Sequence, residues 1–207
     1  LRYLGGTSGT GGTIIGEYQT SVNGTIVVTG LKAGTYVAEE ISAPNGYVLS
    51  ENDIQTAYLS GKDQDVITLT FGNKAKGSLL IKKIDSVTNA PLADVDFSVT
   101  RSDGSYVGNA NGVYATDSAG SILINDLEPG ETLIVKEVRA KDGYILDDTP
   151  QSIKIISGET VSLEFRNAPK GSLVIVKKDS VTGKPLKGVE FTVKTSDGRY
   201  VANNGGK

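Results

Sequence analysis

A 37-residue stretch of this chain occurs twice, and that repetition limits what the chain can fold into more than any other feature. Residues 76–112 (KGSLLIKKIDSVTNAPLADVDFSVTRSDGSYVGNANG) return as 170–206 (KGSLVIVKKDSVTGKPLKGVEFTVKTSDGRYVANNGG), with 22 of 37 aligned positions identical. Residues 16–47 pair in the same way with 112–144, and 67–78 with 161–172. The spacing of about 94 residues exceeds that of solenoid repeats and suits a whole small domain. The repeats are therefore expected out of phase. Residues 1–75 form a unit lacking its first strand, 76–169 a complete unit, and 170–207 the opening of a third. The joins NKAKGS and NAPKGS are only a few residues long, so the units read as beads on short, stiff linkers.

Within the complete unit, short β-prone runs alternate with turn chemistry. The runs are LLIKKID, VDFSVT, SYVG, SILINDL, TLIVKEV, QSIKIIS and TVSLEFRN, separated by SVTNAP, SDG, DSAG, EPGE, AKDG and SGE. No stretch combines helical periodicity with caps. About seven strands at this spacing predict an all-β protein built of tandem Greek-key β-sandwich domains.

Strand side chains alternate between faces, so the pattern also gives register. In the last strand Val161, Leu163, Phe165 and Asn167 share one face, and the earlier copy repeats this with Ile67, Leu69, Phe71 and Asn73. Leu133 and Val135 lie on the side of Glu137, as Tyr36 and Ala38 lie on the side of Glu40. Leu79 and Ile81 precede Lys83; Leu173 and Ile175 precede Lys177. Lys82 and position 84 point the other way, and their copies are Val176 and Lys178. A Lys, a Glu and an Asn thus each follow a core-facing series. One such residue at a strand end is ordinarily a side chain reaching for solvent, and an Asn before Ala-Pro an ordinary turn residue. Three together, recurring in the partial copies, predict polar groups buried as a set, because burying an unpaired charge costs several kcal/mol.

Taken as a set, these motifs resemble a known family. K-x-D ends the first strand (Lys83-Ile84-Asp85, Lys177-Lys178-Asp179) and P-L-x-x-V-x-F follows. E-x-x-A-P-x-G-Y appears at Glu40–Tyr47, and F-x-N ends the unit. The pattern is similar to the collagen-adhesin (Cna) protein B-type domain of Gram-positive surface proteins and SpaA-like pilins, of prealbumin/Ig-like fold. At Ala140-Lys141-Asp142-Gly143-Tyr144 a Lys replaces the family's Pro, which is expected to alter the turn after the Glu. The resemblance implies an isopeptide bond between Lys83 and Asn167, promoted by Glu137, with Glu40 as the matching acid of the first unit. Asn73 and Lys177 remain crosslink candidates without partners in their own units. Desolvation favours a neutral, nucleophilic Lys83, and Glu137 can hydrogen-bond to the carboxamide and relay protons. Attack on the amide carbon expels ammonia once per domain, which is self-modification and not enzyme turnover. The bond closes a loop of about 85 residues, for which chain entropy gives about 4–5 kcal/mol.

Composition removes competing chemistries. The chain has 26 Gly and nine Tyr but no Cys, His, Met or Trp. Disulfides, thiol catalysis, zinc sites and His-based triads are therefore excluded, and no cofactor or metal is expected. A net charge of −3 argues against nucleic acid. No signal-peptide core opens the chain and no window approaches a membrane span, so no membrane insertion is expected of this stretch. Lacking Met, the chain is expected to be a fragment or a processed form. The expected role is a stalk or shaft repeat at the surface of a Gram-positive cell. Its partners are then neighbouring domains, and adjacent copies in a fibre through Lys177 and Asn73. The alternative is an adhesin module gripping a host matrix protein with loops such as Ser102–Gly112. A hydrolase fares worst, since Asp94, Asp96, Asp147 and Asp148 read as loop or solvated residues and Asp94 becomes Gly188 in the copy. Calcium has no complete ligand loop.

Overall fold

The computed structural model describes residues 2–5, 13–62, 66–108 and 111–201. The first repeat holds strands β1 (Arg2–Gly5), β2 (Thr13–Ile14), β3 (Gly34–Glu39), β4 (Tyr47–Val48), β5 (Ile54–Leu59) and β6 (Lys74–Ala75). The second holds β7 (Gly77–Asp85), β8 (Asp96–Arg101), β9 (Val113–Ala115), β10 (Ser121–Leu127), β11 (Thr132–Arg139), β12 (Gln151–Lys154) and β13 (Thr160–Asn167). No helix occurs among the described residues.

The second repeat is a sandwich of two sheets, ordered β10-β7-β13 and β12-β11-β8-β9. The period-two pattern of its strands produces this arrangement. Alternate residues of β7 (Leu79, Ile81, Lys83 and Asp85) are buried, and those between are not. Leu79 and Ile81 of one sheet and Phe97, Val99, Leu133 and Val135 of the other form the fully buried centre of the core. Phe97 and Phe165 meet across the layers with ring centroids 4.8 Å apart. Each such side chain contributes about 1.5–3 kcal/mol on burial, which holds the two sheets in fixed register. The first and last strands, β7 and β13, are neighbours and run parallel, with Lys83 beside Phe165 and Asp85 beside Asn167. The other strand pairs are antiparallel.

Two expected strands differ. Residues 105–108 do not form one: Tyr106 makes a single bridge to Thr100, and Val113–Ala115 pairs with β8 instead. The edge of β8 is divided between two segments, because the Arg101 N–H bonds Ser105 O and the Val99 N–H bonds Gly112 O. The run QSIKIIS is a strand only to Lys154; Ile155 turns inward, buried, with its N–H on Glu131 O at 2.8 Å. Residues 109 and 110 of the loop Ser102–Gly112 lie outside the described residues.

The first repeat keeps one sheet of this plan. Its order β2-β1-β3-β5 reproduces β9-β8-β11-β12, with β3 and β5 matching β11 and β12 in sequence. The three-stranded sheet is not reproduced: 25–31 and 66–73, which match β10 and β13, are not strands. The reason is visible in the second repeat, where β10 and β13 both hydrogen-bond to β7 and not to each other. Nothing in the first repeat aligns with β7. The repeats join tightly, with the Lys76 N–H on Gly46 O and the Ser157 hydroxyl on Ala75 O.

Residues 170–207 are a separate unit. Its described part holds isolated bridges, Lys178 to Pro185 and Lys194 to Tyr200, and no strand. Leu173, Ile175 and Lys177, expected on a buried face, are exposed, because the facing sheet that would cover them is not part of this unit.

Candidate functional site

The main chain at Lys83 is pinned on both sides before its side chain does anything. Its N–H donates to Gly120 O and its carbonyl accepts from the Leu92 N–H, at 2.8 and 2.9 Å. Gly120 has φ of +68°, and a Cβ there would stand 2.5 Å from Lys83 O, so only glycine lets the loop approach this closely. Lys83 and Asn167 project from adjacent parallel strands of one sheet, and Glu137 from β11 of the sheet opposite.

The three side chains meet in the core. Lys83 and Glu137 are 0% exposed and Asn167 is 1% exposed. The Lys83 Nζ donates to Asn167 Oδ1 at 2.5 Å and lies 2.9 Å from Glu137 Oε2. The Asn167 Nδ2 donates to Glu137 Oε1 at 2.6 Å. The two oxygens of Glu137 thus face different partners, Oε2 the amine and Oε1 the amide nitrogen. Burial holds the Lys83 amine below its ordinary pKa; the Glu137 hydrogen bond and charge, and then the charge of Asp147, oppose that shift. The arrangement sets an amine against an amide carbonyl and bridges the amine and the amide nitrogen with one carboxylate. That is the geometry of acyl transfer from carboxamide to amine.

Two residues that the sequence marks only as motif letters brace this triangle. Asp85 Oδ1 accepts from the Val87 and Thr88 N–H groups, and the Tyr144 hydroxyl donates to Oδ2 at 2.8 Å. The Thr88 and Val87 backbone bonds, with Tyr144, hold the Asp85 carboxyl below its usual range; the bond to Asp85 raises that of Tyr144. The F-x-N strand end is thereby tied to its surroundings, since the Ser86 N–H bonds Asn167 O. The acidic pairs serve elsewhere. Asp96 forms a two-point pair with Arg139, Asp148 pairs with Lys136, and Asp147 accepts from the Thr149 N–H. Asp94 has φ of +62°, the conformation its copy Gly188 adopts at +79°, which explains that divergence. Among the described residues no group of three or more acids could hold a metal ion.

The family model of the SpaA prealbumin-like fold domain matches residues 6–75 and again 77–169. The chain belongs to this family. Among solved structures, the chain is similar to the Bacillus anthracis TIE protein at 25% identity and TM-score 0.45, covering 72% of this chain and 28% of that one. It is similar to GBS52, the minor pilin of Streptococcus agalactiae, at 19% and 0.43, covering 73% and 66%. For the shaft pilin SpaA of Lactobacillus rhamnosus GG (the E269A/D295N double mutant) the figures are 20% and 0.42, covering 69% and 65%. The chain spans less than two thirds of the length of each. Comparison with curated protein sequences returns no match.

The first SpaA-type repeat holds two of the three side chains. Asn73 Nδ2 donates to Glu40 Oε1 at 2.8 Å and to Val48 O at 3.1 Å, as Asn167 does to Glu137. Glu40 Oε2 is buried and has no hydrogen-bond partner among the described residues. Lys177 lies in the separate unit and is exposed there. The expected change of turn at Lys141 does not occur. The Tyr144 N–H bonds Lys141 O at 3.0 Å as the Tyr47 N–H bonds Pro44 O at 3.1 Å, with Gly143 and Gly46 at φ of +86° and +81°. The residue replaced supplies only its carbonyl, while the glycine supplies the left-handed conformation the turn requires.

Proposed function

We propose that residues 76–169 are a self-crosslinking structural repeat, in which Lys83 Nζ becomes bonded to Asn167 Cγ with Glu137 as proton relay. The neutral amine attacks Cγ, the new C–N bond forms, and the Cγ–Nδ2 bond breaks. One proton passes from Nζ through the Glu137 carboxyl to the departing nitrogen, which leaves as ammonia. Glu137 ends in the state in which it began. The observation that carries this reading is the bridging of Nζ and Nδ2 by the two oxygens of one fully buried carboxylate, at 2.9 and 2.6 Å.

The mechanical consequence follows from β7 and β13 lying side by side. Tension entering at residue 83 would leave through residue 167 without loading the chain between them. That supports a stalk or shaft repeat of a pilus or surface adhesin on a Gram-positive cell, outside the membrane, strengthened without cysteine. The intact mass tests it. The folded chain is expected to be lighter than its sequence by one ammonia at the 83–167 pair, and Glu137→Ala to restore the full mass. Full mass in folded wild-type protein refutes the reading.

A further inference from the structure

Asn-Gly pairs occur at 23–24, 45–46, 111–112 and 204–205, the last outside the described residues. In such a pair the glycine nitrogen can attack the asparagine carboxamide, because no side chain on the glycine hinders the approach. The structure separates the other three pairs. The Gly24 N–H is committed to Ser21 O at 2.9 Å, and Asn23 Oδ1 accepts from the Ser21 and Thr25 hydroxyls. Asn111 Oδ1 accepts from the Val113 N–H at 3.3 Å. Gly112 is wedged against β8, where an added Cβ would stand 2.8 Å from Val99 O.

Asn45 and Gly46 are under neither constraint. Both are exposed, and a Cβ added at Gly46 would meet nothing within 4 Å. The Asn45 side chain and the Gly46 N–H make no hydrogen bond among the described residues. The two are the central residues of the turn closed by the Tyr47 N–H on Pro44 O at 3.1 Å, a bond that uses the outer residues only. Their exposure belongs to the turn itself, since Asp142 and Gly143 are exposed in the complete second repeat. The Gly46 carbonyl, in contrast, is engaged. It accepts the Lys76 N–H at 2.8 Å, where the two repeats join.

We propose that Asn45–Gly46 is a site of spontaneous covalent change that loosens the join between the first two repeats. Gly46 N attacks Asn45 Cγ, the new N–Cγ bond forms, and Cγ–Nδ2 breaks. Ammonia leaves with the proton from Gly46 N, and a cyclic imide remains. Water then adds to one of the two imide carbonyls. Opening at Cγ gives aspartate. The second repeat already carries that residue at Asp142 in an equivalent turn, with Gly143 at φ of +86° against +81° for Gly46. Opening at the Asn45 main-chain carbonyl gives isoaspartate, whose backbone is longer by the side-chain methylene. That extra length displaces Gly46 O from the Lys76 N–H, so the join opens while the strands on either side persist.

The test is to age the purified whole chain in warm, mildly alkaline buffer and follow it by peptide mapping, beside the same chain fully denatured. In the folded chain Asn45 should convert several-fold faster than Asn23 and Asn111, whereas the three should converge in the denatured one. Hydroxylamine should trap the imide by cutting the chain between 45 and 46. Amide exchange at Lys76 should quicken as isoaspartate accumulates, and match the unaged protein in a fresh Asn45→Asp chain. Asn45→Gln should stop conversion at that site and keep the Lys76 amide protected throughout ageing. Conversion of Asn23 or Asn111 first, or of all three in the proportions of the denatured chain, overturns the site. Conversion at Asn45 with unchanged exchange at Lys76 overturns the effect on the join. The imide is lighter by one ammonia, as a bond at 83–167 would be, and the peptide map tells the two apart. Glu137→Ala should leave ageing at Asn45 unchanged, so either reading can fail without the other.

Discussion

Replacing Glu137 by Gln keeps the shape of the side chain and removes the proton acceptor from the triangle. The expected result is a folded but open second repeat. Lys83 and Asn167 are 84 positions apart, so the proposed bond would close a loop of about 85 residues in the unfolded chain. The chain-entropy relation gives about 15 cal/mol/K for that loop, or about 4.6 kcal/mol at 25 °C. Removing a charged partner from a buried amine adds about 3–5 kcal/mol where the amine is protonated. Small domains have a total stability of about 5–15 kcal/mol, so the open form keeps its fold with little margin. For a domain of this size each kcal/mol is worth about 4–8 °C, and the unfolding midpoint of the second repeat should fall by roughly 20 °C or more. Calorimetry of the whole chain, with intact mass on the same sample, measures both terms. Adding Lys83→Met to Glu137→Gln removes the buried amine and should recover part of the loss without restoring the bond. A Glu137→Gln chain that still lacks one ammonia refutes the relay role. One that has full mass but an unchanged midpoint refutes the claim that the crosslink stabilises the fold.

Three further outcomes follow from the same geometry. Lys83 titrates below its ordinary value because it is desolvated, so the rate of bond closure on refolding should rise with pH and level off once the amine is neutral. In the open Asn167→Ala chain, the unfolded state binds a proton that native Lys83 does not, between the lowered pKa and the ordinary value of 10.5. Its stability should therefore rise with pH across that interval; timed mass spectra and denaturant midpoints check the two, and a rate falling with pH above neutrality refutes the amine as nucleophile. Tyr144→Phe removes the hydroxyl that donates to Asp85 Oδ2 at 2.8 Å. It should lower the unfolding midpoint by several degrees while leaving the chain one ammonia light, which separates bracing from chemistry.

Much of this was legible in the chain for a local reason. Period-two alternation places Lys83, Glu137 and Asn167 inward from nearest neighbours alone, and their burial at 0–1% follows that alternation. Lys82 and Lys136 face out by the same rule. Local pattern failed where hydrogen bonds had to be shared among segments. The run SYVG has strand composition, yet Gly112 O and Ser105 O occupy the β8 edge between them, so Val113–Ala115 is the strand. It failed again at Lys141, where residue identity suggested a different turn and a backbone carbonyl proved to be all the position supplies.

The repeat period, the strand count and the inward register of each polar residue belong to the sequence by itself, because all three rest on chemistry within a few residues. That the Lys, Glu and Asn converge was decided by the tertiary structure. Lys83 and Asn167 become neighbours only because β7 and β13 run parallel in one sheet, and Glu137 joins them only because β11 packs across from it. The same letters in the first repeat produce an Asn73–Glu40 pair alone, and in the last segment an exposed Lys177. Similar local sequence is therefore buried in one place and exposed in another. A strand between two others is held by both, so whether a lysine is buried depends on which strands are present to bury it.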